Sequence, residues 1–93
     1  MSRLDVVVWF GSRAGEKVEQ GARKHLLIVD DEPVILQILE AVFEDEPMRL
    51  TCVTTGADAA RVLDEQGCDL LITDKNLPDI NGLELLKKAK AIF

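Results

Sequence analysis

The chain has 93 residues, 47% of them hydrophobic and four of them aromatic, which allows one small domain with a hydrophobic core. Its formal net charge is −6, and residues 25–93 carry six basic and fourteen acidic groups, so no basic surface for nucleic acid is predicted. The apolar run at Val6–Phe10 is too short to span a membrane, and Asp5 beside it is unlike a secretory signal, so we expect a cytoplasmic protein.

Residues 1–24 differ from the rest of the chain in charge and in pattern. They carry five basic and three acidic groups, and the part after Phe10 contains three glycines and few apolar side chains. We expect them to form an N-terminal extension or linker, with one short strand at Val6–Phe10. The folded domain is then predicted to comprise residues 25–93.

The domain is predicted to begin with a strand and then a helix. Residues 26–29 are four consecutive apolar residues, a pattern typical of a strand that is covered on both faces in a parallel sheet. Pro33 suits the first turn of a helix, and apolar residues then recur at helical spacing, at Ile35, Ile38, Leu39 and Val42. We therefore predict an amphipathic helix that ends near Glu44 and buries these apolar residues.

Two further strand–helix pairs follow. Residues 48–53 alternate apolar and polar side chains, which predicts a less buried strand, and the helix after it ends at Gln66. Residues 70–73 predict another strand buried on both faces, and residues 82–93 have the spacing of a third helix. An order of βαβαβα predicts a parallel sheet with right-handed crossovers and with helices on both faces.

Three aspartates stand at the carboxyl ends of the two more apolar strands. Asp30 and Asp31 follow the first of these strands, and Asp74 follows the other. In open parallel sheets the functional crevice lies at these ends, so we expect the three carboxylates to converge. Such a cluster repels itself unless a hard cation binds there, and a bound cation favours phosphate chemistry. Two simpler roles stay open, since Asp30, Asp31 and Glu32 could cap a helix and Asp74 could form a turn.

Two segments resemble the receiver domain of response regulators, which is the phosphoryl-accepting part of two-component signalling. One is Ile-Val-Asp-Asp-Glu-Pro at 28–33, and the other is Ile-Thr-Asp-Lys-Asn-Leu-Pro-Asp-Ile-Asn-Gly-Leu-Glu-Leu at 72–85. The shared pattern is an acidic pair after the first strand and, after the third, an aspartate with proline four and glycine eight residues later. The resemblance covers residues 25–93 and implies a partial flavodoxin-like (CheY-like) α/β fold, with a three-stranded parallel sheet in the order 2-1-3.

The resemblance also implies a role for each residue of the acidic cluster. Asp74 would receive a phosphoryl group from a phosphohistidine on a histidine kinase or phosphotransfer protein. The implied cofactor is Mg²⁺, which would be bound by carboxylate oxygens of Asp31 and Asp74, by the backbone carbonyl of Asn76 and, through water, by Asp30. Mg²⁺ suits such a site because it prefers oxygen ligands and binds through one or two carboxylates together with water and phosphate oxygens.

Other residues near the implied acceptor are expected to shape or surround its loop. By the same resemblance, Pro78 would stiffen the loop and Gly82 would permit a tight start to the third helix. Asp79 and Asn81 are expected to be solvated loop residues, and Asn81 is also a candidate N-cap. His25 has no partner ligand in the sequence and is expected to be a surface or edge residue.

A complete receiver domain continues with two more strand–helix units, which supply a Ser or Thr that senses the phosphoryl group and a Lys that pairs with it. Both would lie after Phe93, so we expect a truncated receiver whose phosphotransfer is impaired. The third strand would also lack a neighbour on one side. We expect this uncovered edge either to pair with another chain, which would give self-association, or to pair with Val6–Phe10.

The leading hypothesis is a phosphorelay receiver that binds neither nucleic acid nor membrane and is not an enzyme in its own right. One alternative is a phosphorylation-independent interaction module or gene remnant, which a Mg²⁺ titration would distinguish. A second alternative is an aspartate-nucleophile phosphatase of the haloacid dehalogenase type. That family requires a second acid two residues after the nucleophile, where this chain has Asn76 after Asp74.

Overall fold

The computed structural model describes residues 6–10 and 24–92. Within these ranges the elements are β1 (Val6–Phe10), β2 (Lys24–Val29), α1 (Pro33–Val42), β3 (Met48–Val53), α2 (Gly56–Glu65), β4 (Leu70–Asp74) and α3 (Gly82–Ile92). From β2 onward strands and helices alternate, as predicted. The described helices have 10 or 11 residues each, and none of them has the length and hydropathy that a transmembrane span requires.

The four described strands form one sheet in the order β1–β4–β2–β3. β2 is parallel to both β3 and β4, and Leu26 lies opposite Leu50 on one side and Leu70 on the other. Leu26, Leu27 and Ile28 are 0% exposed, because helices cover both faces of this central strand. The α/β fold class and the predicted order of the three parallel strands are confirmed.

The sheet contains one strand more than the three predicted. β1 pairs antiparallel with β4, in a register that places Val6 opposite Asp74. The premise of the predicted self-association, an uncovered third strand, is therefore wrong, because β1 occupies that edge of β4. Pairing with the N-terminal segment is the other outcome expected from the sequence, and it is confirmed. The remaining residues of the predicted extension up to β2, 1–5 and 11–23, lie outside the described residues.

Alternation along the strands directs side chains into two separate cores. The larger core lies between the sheet and helices α2 and α3, and its buried members include Trp9, Leu27, Val29, Ala59, Leu63, Leu71 and Leu85. The smaller core lies between the sheet and α1, and its buried members are Leu26, Ile28 and Leu36. Together the two cores hold β2 and β4 side by side, so the carboxyl ends of these strands are neighbours.

The buried face of α1 agrees with the prediction only in part. Leu39 packs against the smaller core and Ile35 is half-buried, whereas Ile38 and Val42 are 53% and 63% exposed. The buried residue of this helix is Leu36, which was not among the predicted ones. Apolar residues also occur on the exposed side of this helix, at Val34, Ile38 and Val42. Their spacing therefore predicts a helix correctly but cannot determine which side faces the sheet.

His25 is buried at the amino end of β2, so the expectation of a surface residue is wrong. Its Nδ1 lies 2.8 Å from the carbonyl oxygen of Gly67, and its Nε2 lies 2.7 Å from the hydroxyl oxygen of Thr51. A carbonyl oxygen can only accept, so the neutral ring carries its proton on Nδ1, and Nε2 accepts from Thr51. Burial lowers the pKa of His25 from 6.5, which favours this neutral form.

Candidate functional site

The carboxyl ends of β2 and β4 bring the three predicted aspartates together. Val29 lies opposite Thr73 in the parallel pairing of the two strands, so Asp30 and Asp74, which follow them, lie at the same edge of the sheet. One carboxylate oxygen from each of Asp30, Asp31 and Asp74 lies within 4.8 Å of the other two. The three carboxylates therefore converge, as expected from their positions at the ends of the two strands.

The three carboxylates differ in exposure. Asp30 is buried, with 5% of its surface exposed, whereas Asp74 is half-buried and Asp31 is exposed. Burial raises the pKa of Asp30, and the negative charges of Asp74, Asp31 and Glu32 raise it further. One hydrogen bond opposes this effect, because the N–H of Glu32 donates to Asp30 Oδ1 at 2.9 Å. The cluster therefore favours the arrival of positive charge.

The local geometry does not favour the simpler role of Asp30 and Asp31 as helix caps. The N-cap of α1 is Glu32, and no side-chain cap hydrogen bond is present at this end of the helix among the described residues. Asp30 accepts a hydrogen bond from the N–H of Glu32. This hydrogen bond stabilises the turn between β2 and α1 rather than the first turn of the helix. Pro33 opens α1, as predicted, where the missing N–H has no cost.

Asp74 forms a turn and also belongs to the cluster. Its Oδ1 accepts a hydrogen bond of 3.0 Å from the N–H of Asn76, as a turn-forming aspartate does. This contact engages one carboxylate oxygen and fixes the direction of the side chain. The two roles that the sequence presented as alternatives are therefore compatible.

The loop from Asp74 to α3 is closed at its base. The N–H of Gly82 donates to the carbonyl oxygen of Lys75 at 2.7 Å. A Cβ at Gly82 would collide with the carbonyl oxygen of Asp74, so close approach of the backbone requires glycine here. Asn81 is confirmed as the N-cap of α3, since its Oδ1 accepts from the N–H of Leu83 at 2.8 Å.

The middle of this loop is anchored by one apolar side chain. Leu77 is only 9% exposed and belongs to the larger core. Its neighbour Pro78 is exposed, and its ring fixes φ and so limits the freedom of the backbone. Asn76, on the other side of Leu77, is exposed and forms an isolated antiparallel bridge with Asn81. Burial of Leu77 was not predicted, although an apolar residue inside a polar loop is a signal for it.

Asp79 is exposed, as expected of a loop residue, but its side chain is also hydrogen-bonded to the start of α2. Its Oδ1 accepts from the N–H of Gly56 at 2.8 Å, and its Oδ2 accepts from the N–H of Ala57 at 2.9 Å. These hydrogen bonds lower the pKa of the Asp79 carboxyl. The expectation of a plain solvated residue is therefore incomplete. The two partners lie 23 and 22 residues away in the chain, so no local pattern indicates them.

Comparison with known proteins identifies related sequences and a related fold. The family model described as the response regulator receiver domain matches residues 26–92. The response regulators SaeR of Staphylococcus aureus strains USA300 and NCTC 8325 / PS 47 are 38% identical over 66 residues, which cover 71% of this chain and 28% of each relative. The crystal structure of the signal receiver domain of a putative Luxo repressor protein from Vibrio parahaemolyticus matches with a TM-score of 0.72 and 28% identity. That match covers 75% of this chain and 54% of the other.

Proposed function

This chain belongs to the response regulator receiver domain family, and we propose that it accepts a phosphoryl group on Asp74 from a histidine kinase or phosphotransfer protein. Membership of the family supports a role in two-component phosphorelay signalling. The observation that carries the proposal is the convergence of Asp30, Asp31 and Asp74, with one oxygen of each within 4.8 Å of the others.

The donor set at this site fits Mg²⁺. The oxygens come from three carboxylates, of which one is buried and two are accessible. Asp31 and Asp74 would hold the ion directly, Asn76 would contribute its backbone carbonyl, and Asp30 would act through water. Burial raises the pKa of Asp30, and the negative charges of its neighbours raise it further; a bound cation would offset this repulsion. When bound, Mg²⁺ supplies positive charge that neutralises the oxygens of a phosphoryl group.

Asp74 is the candidate acceptor because its side chain is accessible and a hydrogen bond fixes the orientation of its carboxylate. It is half-buried, and its Oδ1 is engaged by the N–H of Asn76, so Oδ2 is the candidate nucleophile. In the transfer, this oxygen forms a bond to phosphorus while the bond between phosphorus and the donor imidazole nitrogen breaks. The electron pair of the broken bond stays on that nitrogen. Asp74 thereby becomes an acyl phosphate, and the donor histidine returns to its free form.

Labelling with acetyl phosphate tests the acceptor assignment. We expect the chain to incorporate the phosphoryl group in the presence of Mg²⁺ and the Asp74→Asn variant to incorporate none, with an unchanged far-ultraviolet circular dichroism spectrum. Asp45→Asn is the matched control, because it makes the same change at an exposed residue beyond α1. Persistent labelling of the Asp74→Asn variant would show that the acceptor lies elsewhere.

A Mg²⁺ titration tests the metal site and separates the receiver function from an interaction module that needs no phosphorylation. We expect wild-type chain to bind Mg²⁺ and Asp31→Ala to weaken binding by about tenfold or more, since few protein ligands are available to this ion. Asp45→Ala should leave the affinity unchanged. If the wild-type chain shows no shift of resonances near Asp31 and Asp74 at millimolar Mg²⁺, the interaction module becomes the better hypothesis.

A further inference from the structure

Asp79 ties the loop that follows Asp74 to the first turn of α2. The two oxygens of its carboxylate accept from the successive N–H groups of Gly56 and Ala57, at 2.8 and 2.9 Å. A two-point contact fixes the orientation of the carboxylate as well as its position, and hydrogen bonds to a charged acceptor are stronger than neutral ones. The loop is therefore held against a neighbouring element and not only by its own turns.

Gly56 makes this close approach possible. A Cβ at this position would collide with the side chain of Ile80 and would lie 3.1 Å from Asp79 Oδ1. α2 also has a conventional N-cap that is independent of the loop, because Thr55 Oγ1 accepts from the N–H of Asp58 at 3.1 Å. The start of α2 thus makes two separate sets of hydrogen bonds, and only one of them reaches the loop.

The same loop leads directly back to the carboxylate cluster. At its base the N–H of Gly82 donates a hydrogen bond to the carbonyl oxygen of Lys75, and the side chain of Asp74 accepts one from the N–H of Asn76. With the base closed in this way and residue 79 held by α2, the backbone of Asn76 lies between two fixed points. Displacement of Asp79 would therefore shift the carbonyl group of Asn76 and the side chain of Asp74.

We propose that Asp79 is a positioning residue for the candidate site, which holds the β4–α3 loop against α2 and thereby sets the affinity of the carboxylate cluster for Mg²⁺. Both of its oxygens face α2, so it acts through the loop backbone and not by direct contact with the ion. This role rests on the proposed cation binding at the cluster. Residues that orient metal ligands from outside the ligand set commonly change metal affinity by about 10–100-fold.

Two variants of the α2 terminus separate positioning from a general structural effect. Asp79→Ala removes two hydrogen bonds to α2 and releases the loop, whereas Thr55→Ala removes a hydrogen bond from the same helix end and leaves the loop attached. We expect Asp79→Ala to weaken Mg²⁺ binding by about tenfold and Thr55→Ala to change it by less than about twofold. Asp79→Asn, which keeps only one acceptor oxygen, should lie between wild type and Asp79→Ala. Unchanged Mg²⁺ affinity in Asp79→Ala, or an equal loss in Thr55→Ala, overturns the proposal.

Amide hydrogen exchange distinguishes failure of this role from failure of the proposed function. If wild-type chain does not bind Mg²⁺, the proposed function fails, but the attachment of the loop can still be measured at the N–H groups of Asn76 and Gly82. Faster exchange at both in Asp79→Ala, with wild-type rates in Thr55→Ala, supports positioning of the loop by Asp79. Equal rates in wild type and Asp79→Ala contradict it.

Discussion

Each end of strand β2 has a buried polar side chain, but the surroundings of the two side chains differ: one is fully hydrogen-bonded and the other lies among like charges. At the amino end, His25 is 5% exposed, and both ring nitrogens have partners, Gly67 and Thr51. The backbone at this end is bonded too, since the N–H of His25 donates to Asp69 Oδ2 at 2.7 Å. Buried polar groups that are fully hydrogen-bonded fix the elements they join. This end of the strand therefore ties β2, β3 and the turn before β4 together.

At the carboxyl end, Asp30 has the same exposure, 5%, but its surroundings are repulsive. It receives one hydrogen bond, from the N–H of Glu32, and it faces the carboxylates of Asp31 and Asp74. A cation site has to hold like charges together before the cation arrives, which costs stability in the empty protein. The comparison indicates that one end of β2 stabilises the fold, whereas the carboxylates at the other end repel one another when no cation is bound.

The largest effect is expected at the carboxyl end, from Gly82→Ala. The added methyl group would collide with the carbonyl oxygen of Asp74 and would lie 3.0 Å from the Cα of Lys75. Both obstacles are backbone, so we expect a loss of about 3 kcal/mol in the free energy of unfolding together with loss of Mg²⁺ binding. Urea denaturation measures the first and a Mg²⁺ titration the second.

Gly56→Ala is the control for this substitution, because the nearest obstacle there is the side chain of Ile80 and not backbone. We expect a smaller loss for it, about 1 kcal/mol. Equal losses in the two variants would show that the start of α3 is no more constrained than the start of α2.

At the amino end, His25→Ala should destabilise the fold without affecting the site. The substitution removes two side-chain hydrogen bonds and leaves the carbonyl group of Gly67 and the hydroxyl of Thr51 without this partner. We expect a loss of about 2 kcal/mol in the free energy of unfolding, with Mg²⁺ affinity close to wild type. Lys24→Ala, at the exposed neighbouring residue, should change neither quantity. A large loss of Mg²⁺ affinity in the folded His25→Ala variant would mean that the two ends are coupled.

Asp30→Asn should have effects of opposite sign on stability and on binding. The amide keeps an oxygen that can accept from the N–H of Glu32, but it removes one of three neighbouring negative charges. Without Mg²⁺ we expect the variant to gain roughly 0.5–1 kcal/mol in the free energy of unfolding, and with Mg²⁺ we expect it to bind the ion more weakly. Asp31→Asn removes a charge from an exposed residue and should give a smaller gain. A loss of stability in Asp30→Asn would contradict the view that the cluster is under repulsion.

These contrasts also show which parts of the molecule the sequence could predict. The strands β2 and β4 and the aspartates at their carboxyl ends were predictable, because an apolar run and the residues at its end form a local pattern. The order of the parallel strands came from the family resemblance and not from periodicity. The buried face of α1 was not predictable, because Val34, Ile38 and Val42 make this helix apolar on the side that is exposed.

The contacts that the sequence missed are long-range. His25 meets Gly67 at a distance of 42 residues in the chain, and Asp79 meets Gly56 at a distance of 23. A lone histidine and a loop aspartate have the same local pattern whether or not such a partner exists. Their roles depend on which loops the sheet brings together, and this depends on the strand order.

The smallest predicted effect is the pH dependence of stability, which should differ in sign between the two ends of β2. Burial, together with the positive charge of Arg49, holds the pKa of His25 below 6.5, although the carbonyl group of Gly67 and the charge of Asp69 oppose this. The unfolded chain therefore takes up a proton more readily than the folded chain. Stability from His25 is complete above pH 6.5 and is lost as the pH falls through the lower pKa of the folded state. Asp30 has a raised pKa, so its contribution is complete below its unfolded pKa, near 3.8, and is lost as the pH rises through the folded value.

Urea denaturation between pH 7.5 and 3.5, without Mg²⁺, measures both contributions. We expect the free energy of unfolding of wild-type chain to fall between pH 7 and the folded pKa of His25, and this fall should be smaller in His25→Gln. At lower pH, Asp30→Asn should lose its stability advantage over wild type, because wild-type Asp30 becomes protonated and neutral there. An advantage of Asp30→Asn that is constant across the whole range would show that the gain does not arise from removal of the charge.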